Sequence, residues 1–176
     1  MEPILEPAPW LTGAHLGLRA PLLADADHAA RWWPGDEADD PEAVRSALRA
    51  RETIPWGKNP VITLVAIDLA SGEICGGVQA TRSSSGTCAV EVMAPEHDAD
   101  VLREMLQLVV PWLAEEVGVR SVLLEAAADD AALLAAAGVA GMVEAVRRRE
   151  HLVRPGGRVD LLQLERVNRE WGRHAG

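Results

Sequence analysis

At 176 residues and a formal net charge of −10, the chain is long enough for one domain with a sizeable hydrophobic core, and it is acidic. That charge argues against nucleic acid or an anionic membrane as the main partner; it suits an amine or cationic ligand, or simply a solvated acidic surface. No apolar run reaches the roughly 18 residues needed to span a bilayer, and MEPILEPAPW lacks the basic flank and apolar centre of a secretion signal, so a cytoplasmic protein is expected.

Residues 1–15 read as an irregular N-terminal segment. LGLRAPL (Leu16–Leu22) is a first strand interrupted by Arg19. ADADHAARWW is then a short helix, with Asp25 or Asp27 available as its N-cap. After the PGDEADD loop, Pro41 suits the first turn of a helix over PEAVRSALRARE. TIPWGKNP is a loop punctuated by Pro and Gly. VITLVAIDL and EICGGVQATR form a hairpin across ASG, where Gly72 can take a positive φ. SSSG turns the chain into TCAVEVMA, completing a three-strand meander.

Val101 to Val117 repeats apolar residues at helical spacing, through Leu102, Met105, Leu106, Val109 and Leu113. Pro111 is expected to kink or break that helix, and Gly118 to end it. RSVLLEAAA is a strand apolar enough to be covered on both faces. DDAALLAAAG is a short helix capped by Asp129 or Asp130 and stopped by Gly138. MVEAVRRREHLV and RVDLLQLERV close the fold as a hairpin turned by RPGG, with residues 172–176 as a tail. The expected fold is therefore mixed α/β, a mostly antiparallel sheet of about seven strands with helices on both faces, all in a single domain.

Cys75 and Cys88 fall in strands without disulfide or metal-ligand spacing, so buried thiols and no metal are expected. There is no Tyr and no Phe, and six Trp carry the aromatic content. No phenol is available for chemistry.

The order of elements resembles the GCN5-related N-acetyltransferase (GNAT) fold, and local sequence resembles its branch that acetylates ribosomal-protein N-termini. The similar stretches are LRAPLLADADHAARWW, DLASGEICGGV, VMAPEH, PWLAEEVGVRSVLLEA and RREHLVRPGGRVDLLQLERVNREW, so the likeness runs from about Leu16 to Trp171. It implies acyl transfer from acetyl-CoA or a related thioester to an amine, a cationic small molecule or a peptide N-terminus. It also implies that the fourth and fifth strands splay. The backbone of Val92, Met93 and Ala94 would then pair with the pantetheine arm, and the loop at Asp98, Ala99 and Asp100 would face the pyrophosphate.

Two departures stand out. The family's phosphate loop is of the type Arg/Gln-x-x-Gly-x-Gly/Ala, whereas HDADVL has neither glycine nor the basic residue. A Cβ obstructs a backbone that must curl round phosphate oxygens, and Asp98 and Asp100 add like charge. Further on, the Asn position is Asp130, and the position of the Tyr or Ser that protonates the leaving thiolate aligns with Leu134, which has no proton to give.

Glu125 stands where many family members carry the carboxylate that deprotonates the amine; the plainer role is a strand-end Glu facing solvent or paired with Arg120 or Arg147. Glu91 shares a face with Ala89 and Met93 and points into the groove or to the open side of the sheet. His97 could act as an acid or base, or be an exposed loop residue. Trp32, Trp33 and Trp56 either roof the acceptor site or pack the core. Arg147–Arg149 is a solvated edge or a homodimer contact. Two functions follow. One is an amine acyltransferase; the other is an inactive GNAT-fold binding or assembly module that does not hold coenzyme A in the usual way.

Overall fold

The computed structural model describes residues 8–52, 54 and 58–172. Eight strands form one sheet: β1 (Leu11–Thr12), β2 (Leu16–Arg19), β3 (Val61–Asp68), β4 (Ile74–Arg82), β5 (Thr87–Met93), β6 (Ser121–Ala127), β7 (Val143–Arg154) and β8 (Gly157–Val167). Their order is β1-β2-β3-β4-β5-β6-β8-β7. Every neighbouring pair is antiparallel except β5 and β6. The helices are α1 (Pro41–Glu52), α2 (Ala99–Glu115) and α3 (Ala131–Val139). The eighth strand is the two-residue β1, held to β2 through Leu11 and Leu18.

Alternation sorts the side chains onto two faces. Ile62, Leu64, Val78, Ala80, Val90, Val122, Leu124, Leu162 and Leu164 join a buried cluster with the apolar stripe of α2 and with Leu133, Ala136 and Ala137 of α3. On the other face Val65, Ile67 and Ile74 pack with Ala26, Ala29, Trp32, Trp33, Val44 and Leu48. Burial of both faces explains why β3 and β6 read as near-continuous apolar runs.

Local chemistry accounts for most boundaries. Pro41 opens α1, and the preceding Asp40 carboxylate accepts from the backbone N–H of Glu42 and Ala43. Gly72 takes φ +75° in the β3–β4 turn, where Asp68 accepts from Ala70, Ser71 and the Ser71 hydroxyl. These donors hold the Asp68 carboxyl below its ordinary pKa.

Four expectations need correction. Helix α2 runs unbroken through Pro111. The carbonyl that loses its partner belongs to Gln107, on the helix's exposed side, where water can reach it. Gly138 lies inside α3, and the chain turns out at Gly141, whose φ is +79°. The segment Leu23–Arg31 is 3-10 helix with a non-helical residue at His28 rather than a regular helix. Asp25 does not cap it through a first-turn N–H pair. Its carboxylate is buried on Arg19, at 2.7 and 2.9 Å, and also accepts from Leu22 N–H.

Candidate functional site

The site begins where β5 and β6 part. They pair in parallel from Thr87↔Ser121 to Val90↔Leu124 and no further. Beyond that point β5 stays with β4 as far as Met93, while β6 stays with β8 as far as Ala127. A slot of about 390 Å³ opens between them, large enough for a small-molecule arm. Its lining comes from both faces of the sheet: Val90, Val92, Leu124 and Leu133 on one side, Glu91, Met93, Leu123, Glu125, Gln163 and Pro34 on the other.

Glu91 and Glu125 are each the first residue past the last β5–β6 pair, so they stand on opposite strands at the apex of the opening, and both line the slot. Strand pairing extends this into a polar row across one face of the sheet. Thr63 pairs with Gln79, Gln79 with Glu91 and, across the gap, Glu125 with Gln163. Arg51 closes one end of the row, donating to Thr63 Oγ1 and to Gln79 Oε1 (3.1 Å) and stacking 4.9 Å from the Trp33 ring centroid. Burial lowers its pKa. At the other end Arg148 lies 3.4 Å from Glu125. The Glu125 side chain is 51% exposed, and its ion-pair partner is Arg148 rather than Arg120 or Arg147. Arg147 instead binds Glu144 and Asp160.

The loop after β5 makes a single 3-10 turn, Pro95–His97, in which Glu96 and His97 take φ +53° and +56°. The Ala94 carbonyl, expected to be free for a pantetheine arm, accepts from His97 N–H at 3.1 Å. Asp98 is the N-cap of α2: its Oδ1 accepts from Asp100 N–H at 2.9 Å and Val101 N–H at 3.1 Å. Asp100 pairs with Arg103 at 2.6 Å. Asp130 caps α3, accepting from Leu133 N–H at 3.0 Å. The same Oδ1 accepts from His97 Nε2 at 2.7 Å. That bond rejoins, beyond the strand ends, the two segments that the splay separates.

Of the tryptophans, Trp32 is fully buried, with its indole N–H on the Asp25 carbonyl at 2.8 Å. It is core, and no face of it is open to a ligand. Trp33 is 4% exposed, lies edge-on to Trp32 at 5.5 Å, and donates to Glu37. Neither lines the slot, which Pro34 reaches instead. Trp56 lies outside the described residues.

A thioester arm fits an apolar slot with an unpartnered strand edge. A pyrophosphate does not fit the start of α2: the N–H groups that would hold it already hold Asp98, no glycine lies between Pro95 and Val101, and the local guanidinium is engaged by Asp100. Among the described residues no group of three or more His, Cys, Asp or Glu side chains could hold a metal ion. No helix in that part of the chain is long and apolar enough to cross a membrane.

Gln79, Gln163 and Arg51 were not found by sequence reasoning, and Arg148 was singled out only as part of a solvated edge or dimer contact. Alternation places each on a face, but only the strand order makes them neighbours of the two carboxylates.

No protein-family model matches the sequence, and no protein of curated function matches it. Solved structures do. A candidate acetyltransferase from Sphaerobacter thermophilus is 32% identical, with a TM-score of 0.63 over 89% of this chain and 96% of its own. The ribosomal-protein-S5-alanine acetyltransferase of Vibrio fischeri is 16% identical, with a TM-score of 0.74 over 91% and 97%. An acetyltransferase of the GNAT family from Bacillus anthracis is 9% identical, with a TM-score of 0.68 over 90% and 98%. The last two share the fold; the first shares sequence as well.

Proposed function

Because this chain belongs to the GNAT superfamily of acetyltransferases, we propose that it transfers an acyl group from a thioester to an amine seated between Glu91 and Glu125. The observation that carries the reading is the pair of carboxylates at the apex of a slot open to both faces of the sheet. Arg148 offsets only part of the negative charge of this pair, and a cation between the two carboxylates is drawn to the remainder. An amine arrives as its ammonium form, so the same pair draws in the acceptor. The α-amine that the Vibrio fischeri relative's name implies belongs to this class.

The chemistry asks the site for two proton movements. The ammonium must lose a proton before its nitrogen can attack, and it loses a second once the C–N bond has formed. As the C–S bond breaks, one proton is needed by the sulfur, and the other leaves to water. Glu125, half open to solvent and steadied by Arg148, is suited to take the first proton and pass it to water. Glu91 holds the ammonium opposite. Gln79 and Gln163 offer amide groups on either side of the pair to orient the acceptor. The chain has no Tyr, and His97 is tied to Asp130 at the far end of the slot, so the proton returned to sulfur is drawn from water.

The test is incubation of the purified protein with acetyl thioesters and a panel of amines, following free thiol and acylated amine by mass spectrometry. Acylation is expected, with Glu125→Gln losing about 100-fold in kcat or more while keeping its melting temperature. No product with any donor or amine would sink the enzyme reading. The self-capped start of α2 would then favour the second reading, an inactive binding module whose acidic slot takes a cation.

A further inference from the structure

We infer that the acyl donor is a thioester of a neutral, pantetheine-like arm carrying no nucleotide phosphates, and that Asp98 is the residue that sets this preference. The inference rests on the acyl-transfer reading above and names the donor class for the same slot.

The first N–H groups of a helix point outward without partners and together donate well to one anion. In α2 that anion is the chain's own Asp98 carboxylate, bonded to two of those N–H groups at 2.9 and 3.1 Å. A phosphate arriving here must displace Asp98 and would meet Asp100 in the same turn. Arg103, the cation of that turn, is held by Asp100 at 2.6 Å. Across the opening, the start of α3 is likewise held by its own carboxylate, Asp130, which His97 ties back to the β5 loop. Both helix starts that flank the end of the slot are therefore satisfied from within the chain.

The slot leading up to them is different in kind. Val90, Val92, Met93, Leu123, Leu124 and Leu133 make most of its wall, and β5 past Val90 keeps one edge without a strand partner. Such a wall takes an extended amide-bearing arm, whose N–H and C=O groups can pair with a free strand edge. The recognisable part of the donor thus ends where the charges begin. The transfer itself is unchanged: the C–S bond of the thioester breaks, a C–N bond forms to the amine, and the arm leaves as a thiol.

Calorimetric titration of the full chain with acetyl-pantetheine and with acetyl-CoA separates the possibilities. Expected is an acetyl-pantetheine affinity equal to or greater than that for acetyl-CoA. Asp98→Gly should tighten acetyl-CoA about tenfold and leave acetyl-pantetheine within about twofold. Should the glycine variant fail to fold, Asp98→Asn keeps the capping oxygen, removes the charge, and should move acetyl-CoA in the same direction by a smaller factor. Wild-type preference for acetyl-CoA by about tenfold or more would overturn the inference, since cations from elsewhere would then be gripping the phosphates. A donor preference unchanged in both variants would overturn the role given to Asp98. Absence of binding by either donor up to millimolar would instead bring down the acyl-transfer reading on which the inference stands.

Discussion

Gly77 offers the sharpest test of how the roof beside the slot is built. It sits on β4 opposite Met93 of β5, on the face that carries Trp32 and Trp33. A Cβ at this position would lie 2.0 Å from the Trp32 carbonyl oxygen, 2.9 Å from its carbonyl carbon and 3.0 Å from its Cβ. Ordinary contact needs about 3.4 Å or more, so Gly77→Ala requires the backbone at Trp32 to retreat by more than about 1 Å. That backbone is not free to do so. The Trp32 indole is bonded to the Asp25 carbonyl, and Asp25 is locked on Arg19. Overpacking of this kind costs about 1–3 kcal/mol, and the upper end applies where backbone rather than a side-chain tip must move. Restricting the unfolded chain returns less than about 1 kcal/mol. A net loss of about 2 kcal/mol in a 176-residue chain lowers the melting temperature by about 4–8 °C. The assay is thermal unfolding followed by far-UV circular dichroism and Trp emission, with Gly72→Ala as the control. Gly72 has φ +75° and no neighbour within 4 Å, so its alanine pays backbone strain alone, about 1 kcal/mol. If Gly77→Ala melts within about 2 °C of wild type, the close packing of Trp32 on β4 is not what holds the roof.

Arg19→Met should be costlier, about 3–5 kcal/mol, because it strands the Asp25 carboxylate in the core. The double variant Arg19→Met, Asp25→Leu should recover a good part of that loss in urea unfolding, and no recovery would refute the pairing argument. The cysteines give a pH prediction: burial pushes both the Cys75 and Cys88 thiols from 9.0 up to about 11. An unfolded thiol ionises near pH 9 while the folded one keeps its proton, so stability is unaffected below pH 9 and falls as pH rises towards 11. The chain has no Tyr and one Lys, Lys58, so few other groups titrate in that window. Urea midpoints flat from pH 8.5 to 11 would refute the burial of the thiols, as would rapid alkylation at pH 8 of Cys88, the fully buried one of the two.

How much of this the sequence discloses depends on how far apart the interacting residues lie. The bounds of α1 and the β3–β4 hairpin follow from neighbours within a few positions, as does the capping of α3 by one of Asp129 and Asp130, which the structure resolves to Asp130. Gly138 misled because a glycine near the end of an apolar helix looks like its stop, yet Gly141 takes the left-handed turn. Pro111 misled because the carbonyl it orphans faces water, which propensity alone does not reveal. For the site, Glu91 and Glu125 could be singled out one strand at a time. Their meeting at the apex required knowing that β5 and β6 pair in parallel and stop at Val90 and Leu124. Arg148 rather than Arg147 reaches Glu125 because β8 lies between β6 and β7 and the β7 register shifts at both ends of this stretch. Such facts belong to sheet order, and no window along the chain contains them.

The acidic start of α2 joins stability to specificity in a way that can be separated by experiment. An N-cap carboxylate is worth about 1 kcal/mol to its helix. Helix α2 carries seven buried residues of the main core, so that contribution bears on the whole fold. A phosphate-binding loop needs the same N–H groups left open. One helix N-terminus cannot satisfy both demands, and here it is committed to Asp98. Asp98→Ala should accordingly move two observables in opposite directions, lowering the melting temperature by about 2–4 °C while strengthening acetyl-CoA binding. A cap with a purely structural role would move the first and leave the second where it was. Opposed shifts are the signature of a helix start that excludes phosphate by holding its own anion.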